Sequence, residues 1–288
     1  MTSPSIVAEA TKLTRFIVPL DGSPFSEKAL PTAHWAAQAH DADIQLIQVV
    51  ADDEGAEDAI RYLDSAGRRH GATAWNTLEH RDVAEALAEA TAGTPGSMIC
   101  LATHGRDRSA ALLGSVAASF LHHSAQPALL TGPQARPVES PTAPVAVAVD
   151  GSPRDDGLVA VGLEWAIRMQ RPLLIVTVAE PAPQLHDEQT VHRAHGPANP
   201  EDYVATLAAR AETPEVAIET QTIYHPISMR DGLVPALDQS AALVVLGSRP
   251  HHRIPQMVLG NHAARIVHDS AIPALVVPTP AEGDSGSR

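Results

Sequence analysis

Lysine is almost missing from this chain, which has only Lys12 and Lys28 in 288 residues. A Walker-type phosphate loop needs Gly-Lys followed by Ser or Thr. Lys12 is followed by Leu13 and Lys28 by Ala29, so that class of nucleotide site is excluded. Basic residues are scarce altogether, 20 against 34 acidic, for a formal net charge of −14. Duplex DNA is gripped by basic faces that displace counterions, so general nucleic-acid binding is not expected. The single cysteine, Cys100, permits no internal disulfide and no cysteine-based zinc cluster. It lies in the apolar run Ser97–Ala102, which predicts a buried, inert thiol. No apolar stretch approaches the ~18 residues of a membrane span, and Met1–Lys12 lacks the basic-then-apolar plan of a secretory signal. No membrane association is expected; a soluble cytoplasmic protein is.

The remaining composition, 44% hydrophobic and 19% charged, is that of a folded chain long enough for two domains. The sequence is a duplication. Phe16-Ile-Val-Pro-Leu-Asp-Gly-Ser-Pro24 returns as Val145-Ala-Val-Ala-Val-Asp-Gly-Ser-Pro153, placing Asp21 and Asp150 129 residues apart. Leu112-Leu-Gly-Ser-Val116 pairs with Val258-Leu-Gly-Asn-His262, and Gln126-Pro-Ala-Leu-Leu130 with Ile272-Pro-Ala-Leu-Val276. Both of these pairs are 146 apart, so the second copy carries 17 additional residues, assigned to the polar stretch Gln184–Pro200. Acidic and basic residues divide equally between residues 1–144 and 145–288, so neither half is a charged tail of the other. Residues 134–144 hold three prolines and read as a semi-extended linker between domains at 13–133 and 145–279.

Strand and helix patterns alternate in each half. In the first, strands are expected at Arg15–Leu20, Asp43–Val50, Ala72–Leu78, Met98–Thr103 and Ala128–Thr131. Helices are expected at Ser26–His40, Glu57–His70, Asp82–Ala92 and Ala110–His123. In the second, strands are expected near Val145–Val149, Leu173–Val178, Val216–Ile223, Leu243–Gly247 and Ala274–Val277. Continuous Val/Ile/Leu strands joined by helices imply an α/β architecture, two tandem doubly wound domains with parallel sheets covered on both faces. Ligands of such sheets sit beyond the carboxyl ends of the strands, where strand order reverses.

The informative residues fall there. Asp21-Gly22-Ser23 and Asp150-Gly151-Ser152 each follow a first strand directly. A carboxylate at that point accepts a hydrogen bond from a ribose hydroxyl or helps hold a cation, while glycine permits a tight turn and serine caps the next helix. The same tripeptide also makes a capped turn with no ligand, and duplication transmits either role. After the fourth strand the first copy runs Ala102-Thr103-His104-Gly105, then eight residues, then Gly114-Ser115 opening a helix. The second runs Gly247-Ser248-Arg249-Pro250, then nine residues, then Gly260-Asn261. Glycines let backbone N–H groups approach phosphate oxygens, and a helix N-terminus favours negative charge.

These motifs, twice and in this order, resemble the universal stress protein family in its tandem two-domain form, over nearly all of residues 13–279. The resemblance rests on the first-strand Asp-Gly-Ser, the Thr-His-Gly-Arg106 run, Leu-Leu-Gly-Ser-Val and the Pro-Ala-Leu-Leu end strand. It implies five-stranded sheets of order 3-2-1-4-5. It also implies an ATP site, with or without Mg, in which loop amides hold the phosphates and the first-strand Asp lies beside the ribose. The residues so implied are Asp21, Gly22, Ser23, Ala102, His104, Gly105, Arg106, Gly114 and Ser115 in the first copy. In the second they are Asp150, Gly151, Ser152, Gly247, Gly260 and Asn261. Nucleotide-binding members carry Gly-x2-Gly-x9-Gly followed by Ser, Thr or Asn, and both copies depart from that pattern. The first has Ala102 for the leading glycine and one residue fewer before Gly114. The second has Pro250 for the middle glycine, which removes a donor and fixes φ. The first site ranks above the second.

Other features read as structural. His186, His192 and His195 match no recurring zinc spacing, so no metal site is assigned. His122-His123 sit at the end of a helix, where imidazoles face carbonyls, and Trp35 and Trp165 fall at similar places in the two first helices, as core residues do. No Gly-x-Ser-x-Gly elbow or nucleophile–base pair is present, so no catalytic residue is assigned. The expected function is a stress-response regulator that binds adenine nucleotide and hydrolyses it at most very slowly. Its domains are expected to pair through the last strands, Ala128–Thr131 and Ala274–Val277, and a homodimer is compatible with the same fold. Two alternatives stand beside this. One is a nucleotide-free interaction scaffold. The other is an adenylating ATP pyrophosphatase, whose Ser-Gly-Gly-x-Asp-Ser the run Asp21-Gly-Ser-Pro-Phe-Ser26 does not match.

Overall fold

The computed structural model describes residues 12–52, 55–104, 113–179, 199–224, 229–250 and 257–278, with 229–231, 249–250 and 257–258 described by backbone alone. The first half is β1 (Arg15–Pro19), α1 (Ala29–His40), β2 (Asp43–Val50), α2 (Ala56–His70), β3 (Ala74–Glu79), α3 (Val83–Ala92), β4 (Ser97–Ala102), α4 (Ser115–His123) and β5 (Ala128–Thr131). The second is β6 (Val145–Val149), α5 (Asp155–Arg168), β7 (Leu173–Ala179), α6 (Pro200–Ala211), β8 (Ile218–Tyr224), α7 (Met229–Ser240), β9 (Leu243–Pro250), β10 (Met257–Val258), α8 (Asn261–Asp269) and β11 (Ala274–Pro278).

Each half is the doubly wound parallel sheet expected, in order β3-β2-β1-β4-β5 and, mirrored along the sheet, β11-β9-β6-β7-β8. The two join at β5 and β11, which pair antiparallel with Ala274 opposite Leu130 and Val276 opposite Ala128. That pairing turns two edges, each with unpaired amides and carbonyls, into the centre of one sheet. Leu129, Leu130, Leu275 and Val276 are fully buried there, each contributing on the order of 1.5–3 kcal/mol of burial.

Alternate strand residues face opposite layers. Phe16, Val18, Val145 and Val147 join the layer of α1, α2, α5 and α6, and Ile17, Ile99, Ala146 and Val244 the layer of α3, α4, α7 and α8. Both layers run through both halves. Local chemistry sets the helix limits: Asp82 accepts from the N–H groups of Ala84 and Glu85 to start α3, and Asn199 with Pro200 starts α6. α1 ends in left-handed Asp41 (φ 52), and residue Gln170, one repeat on, ends the α5 segment the same way (φ 53).

Three expectations need adjustment. The helix placed from Ala110 begins at Ser115, because Gly114 is extended (φ −63°, ψ 156°) and serves as its N-cap; 105–112 lie outside the described residues. β9 continues three residues beyond Gly247, because β11 pairs with it as far as Ser248 and β10 folds back antiparallel onto its end. Of the insertion, 184–198 lie outside the described residues, with its histidines, while Asn199 and Pro200 open α6. Cys100 is fully buried against the Ala29 carbonyl at 3.6 Å, and burial pushes its thiol well above the ordinary range.

The linker is a strap with defined anchors. Buried Arg171 donates through Nη1 to the carbonyls of Ser140 (2.8 Å) and Ala143 (2.7 Å), and its guanidinium lies 5.5 Å from the Trp35 ring centroid. One side chain of the second half therefore holds the linker and a helix of the first.

Candidate functional site

β1 pairs on one side with β2 and on the other with β4, and in the second half β6 stands likewise between β7 and β9. The order reverses at β1 and at β6, so Asp21 and Asp150 emerge at the two switch points beside the ends of β4 and β9.

At the first rim, Gly22 takes φ +80°, and Asp21 Oδ1 accepts the Ser23 N–H at 2.9 Å. The Asp21 N–H donates to Ser26 Oγ, whose hydroxyl donates to the Ser23 carbonyl, while Ser23 Oγ accepts the Ser26 N–H. Ser23 is buried, so its hydroxyl shapes the turn. Glu27 fixes the next residues by accepting from Tyr62 Oη (2.9 Å) and Arg69 (3.2 Å). Ala102 ends β4, and the Thr103 carbonyl then accepts the Gly114 N–H at 2.6 Å. This closes the loop that contains Gly105 and Arg106, which lie outside the described residues. A Cβ on Gly114 would stand 2.5 Å from that carbonyl and 3.5 Å from His104 Cα, so glycine is required by close approach. The structure therefore brings Ala102, His104, Gly114 and Ser115 together. α4 starts with no side-chain cap and Ser115 exposed, and the first amides of a helix have no partner within it.

The second rim differs in charge. Ser152 N–H again bonds the preceding Asp, Asp150 Oδ1, at 3.2 Å, and Gly151 takes φ +86°. Five residues after Asp150, however, stands Asp155, where the first copy has Ser26. Its Oδ2 accepts from the N–H groups of Asp150 (3.1 Å) and Gly151 (2.8 Å) and from Tyr203 Oη (2.9 Å), and its Oδ1 accepts from Ser152 Oγ (3.1 Å). Burial pushes the Asp155 carboxyl above its ordinary range; the Tyr203 bond opposes this and the nearby Asp150 charge adds to it. Gly247 lies within β9, opposite Val277, and not in a free loop. Among the described residues a Cβ on Gly260, which precedes α8, would meet nothing within 4 Å, whereas Gly114 is walled in, and α8 also lacks a side-chain cap. Asp155 and Tyr203 escaped the sequence reading; superposing the repeats from Asp21 and Asp150 pairs Ser26 with Asp155 and was the available signal.

Among the described residues no group of three or more His, Cys, Asp or Glu is placed to hold a metal ion, and no helix is long and apolar enough to cross a membrane.

Two fused, doubly wound α/β domains, each with an Asp-Gly-Ser turn at its switch point, define the class. The sequence profile of the universal stress protein family matches residues 52–132 and again 142–278, and the chain belongs to that family. The universal stress protein Rv1996 of Mycobacterium tuberculosis is 24% identical over 300 residues, spanning 92% of this chain and 95% of the relative. A universal stress protein of Archaeoglobus fulgidus superposes with a TM-score of 0.67 at 17% identity, over 93% of this chain and 99% of the other. A protein of unknown function from Pseudomonas aeruginosa gives 0.62 at 18% identity, over 94% of each. At these identities the structural likeness establishes the fold.

Proposed function

We propose that this tandem universal stress protein is a stress-response regulator that binds an adenine nucleotide, ATP with or without Mg, at the rim of its first domain and does not turn it over at a useful rate. The observation that supports this most is the Thr103–Gly114 closure. At a position where no side chain fits, it sets the uncapped start of α4 at the end of β4, next to the strand that delivers Asp21. Phosphate oxygens suit such a helix start, since unbonded amides and the helix dipole both favour anions. Asp21 and His104 flank the same rim and suit a ribose or a phosphate-bound cation. The influence of a bound ligand on a partner would be limited by its preference for one conformation over another. The functional units are residues 13–133 and 145–279, with 134–144 as the strap, and the place of action is the cytoplasm.

The second rim fits a polyphosphate less well. Asp155 already occupies the two loop amides, and its buried carboxylate adds negative charge beside Asp150. One observation favours the competing reading of a nucleotide-free scaffold: the Gly114 N–H is itself bonded to Thr103, so the grip would fall to the amides of Ser115 and beyond.

Mass spectrometry of small molecules released from freshly purified, denatured protein tests the proposal. An adenine nucleotide near one equivalent is expected. Protein that carries none and takes up none on incubation with ATP would leave the scaffold reading.

A further inference from the structure

His104, at the exit of β4 in the first domain, faces a residue of the second domain. The His268 ring stands 5.6 Å away, centroid to centroid, at an interplanar angle of 67°. His268 is in the last turn of α8, and its Nδ1 lies 2.7 Å from Asp269 Oδ1. A carboxylate on one ring nitrogen fixes that nitrogen as N–H and sets the plane of the ring. His104 is held on its other side by its own neighbour, Nδ1 to Thr103 Oγ1 at 3.1 Å. Thr103 is the residue whose carbonyl accepts the Gly114 N–H and whose N–H donates to the Thr131 carbonyl. A continuous chain therefore runs Asp269, His268, His104, Thr103, Gly114, with the domain boundary between its second and third members.

The last turn of α8 is itself immobilised. Val267 O packs so closely on Gly132, where the first domain leaves β5, that a Cβ there would stand 2.0 Å from it. Fully buried Ser270 donates to Asp238 Oδ1, the Ala271 N–H donates to the same oxygen at 2.8 Å, and the Ala271 carbonyl accepts the linker N–H of Arg136 at 2.8 Å. The exit of β5, α7 and the linker thus fix the backbone on either side of His268.

We propose that His268, oriented by Asp269, is a positioning residue of the first domain's ligand rim: supplied by the second domain, it holds His104 and through it the Thr103–Gly114 closure. The first rim is thus complete only with the two domains docked, and this inference rests on the reading of that rim as a nucleotide site. The same helix begins at Gly260 and Asn261 of the second rim, so a nine-residue rod, about 13 Å long, connects the two rims.

The test uses the full chain, with ATP and magnesium chloride as the probe and with histidine labelled for imidazole NMR. The His104 signals are identified by their loss in His104→Gln. Without nucleotide, His268→Ala is expected to displace the His104 signals, and Asp269→Asn to displace those of His268. In calorimetric titrations His268→Ala is expected to weaken ATP binding about three- to tenfold, the range of one aromatic contact. Asp269→Asn, which preserves volume, is expected to give part of that loss, and His268→Gln to restore part of the affinity. His104 signals indifferent to His268→Ala would overturn the contact. ATP affinity unchanged in both His268→Ala and Asp269→Asn would overturn the positioning role. Should the wild-type chain take up no ATP, the nucleotide reading fails, while the His268–His104 contact still stands or falls on the imidazole spectra.

Discussion

His40 of the first domain lies edge-on to Trp165 of the second, ring centroids 4.7 Å apart, and Phe16 of β1 meets the same indole at 6.5 Å. The two halves thus share an aromatic core as well as a sheet. His40 is buried, its Nε2 has no hydrogen-bond partner, and burial followed by the Arg168 charge pushes its pKa down to about 4.

The sign of the pH effect follows. Above its unfolded value near 6.5 the imidazole is neutral in both states, and the contact contributes fully. As pH falls from 6.5 towards 4 the unfolded chain takes up a proton that the folded chain refuses, so stability is lost across that window. The His40 share is on the order of 3 kcal/mol. Thermal melts of wild type and His40→Phe at pH 7.5 and pH 4.5 check it: the variant is expected to lose distinctly less stability on acidification.

Arg171 gives a second prediction. Arg171→Ala removes the donor to two linker carbonyls and the cation over Trp35, and is expected to cost about 2–4 kcal/mol with a change in tryptophan emission. Arg171→Lys restores charge without the planar fork and should recover little. Urea denaturation followed by fluorescence reads both.

The two helix-starting glycines should part company. Gly114→Ala forces a methyl group to 2.5 Å from the Thr103 carbonyl and is expected to destabilise by about 1–3 kcal/mol. Gly260→Ala meets nothing within 4 Å among the described residues and should stay within about 0.5 kcal/mol of wild type. Paired melting curves decide it.

At the domain junction Gly132→Ala is the harshest of these changes, since its Cβ would stand 2.0 Å from a backbone carbonyl that cannot swing aside. A loss above about 3 kcal/mol is expected, with proteolysis in the 134–144 linker as the early sign.

Much of the fold was legible because repeated Val/Ile/Leu strands and Asp-Gly-Ser turns are local signals. β2, β5 and β6 occupy the stretches their patterns mark. What escaped depends on distant neighbours. β10 is two residues long and exists only against the end of β9. The start of α4 was misplaced because residues before Gly114 share the helix's alanine-rich composition, while the Thr103 carbonyl dictates the cap. Trp165 read as core from its spacing, but its partners Phe16 and His40 belong to the other repeat, and no periodicity names them. At the candidate site, the turn at Asp21 and, against composition, the helix start after Gly114 were legible from motif spacing. The charge of the second rim was not, because Asp155 looks like an ordinary first-turn acid until Tyr203 and the loop amides are seen around it.

Melting the full-length protein with and without ATP, alongside Asp21→Ala and Gly114→Val, addresses the first-rim site most directly. With ATP a hundredfold above its dissociation constant, linkage predicts a wild-type rise of about 5–10 °C that both substitutions abolish. A wild-type curve that ATP leaves in place, or a rise that survives both substitutions and vanishes instead with Asp150→Ala, would contradict it.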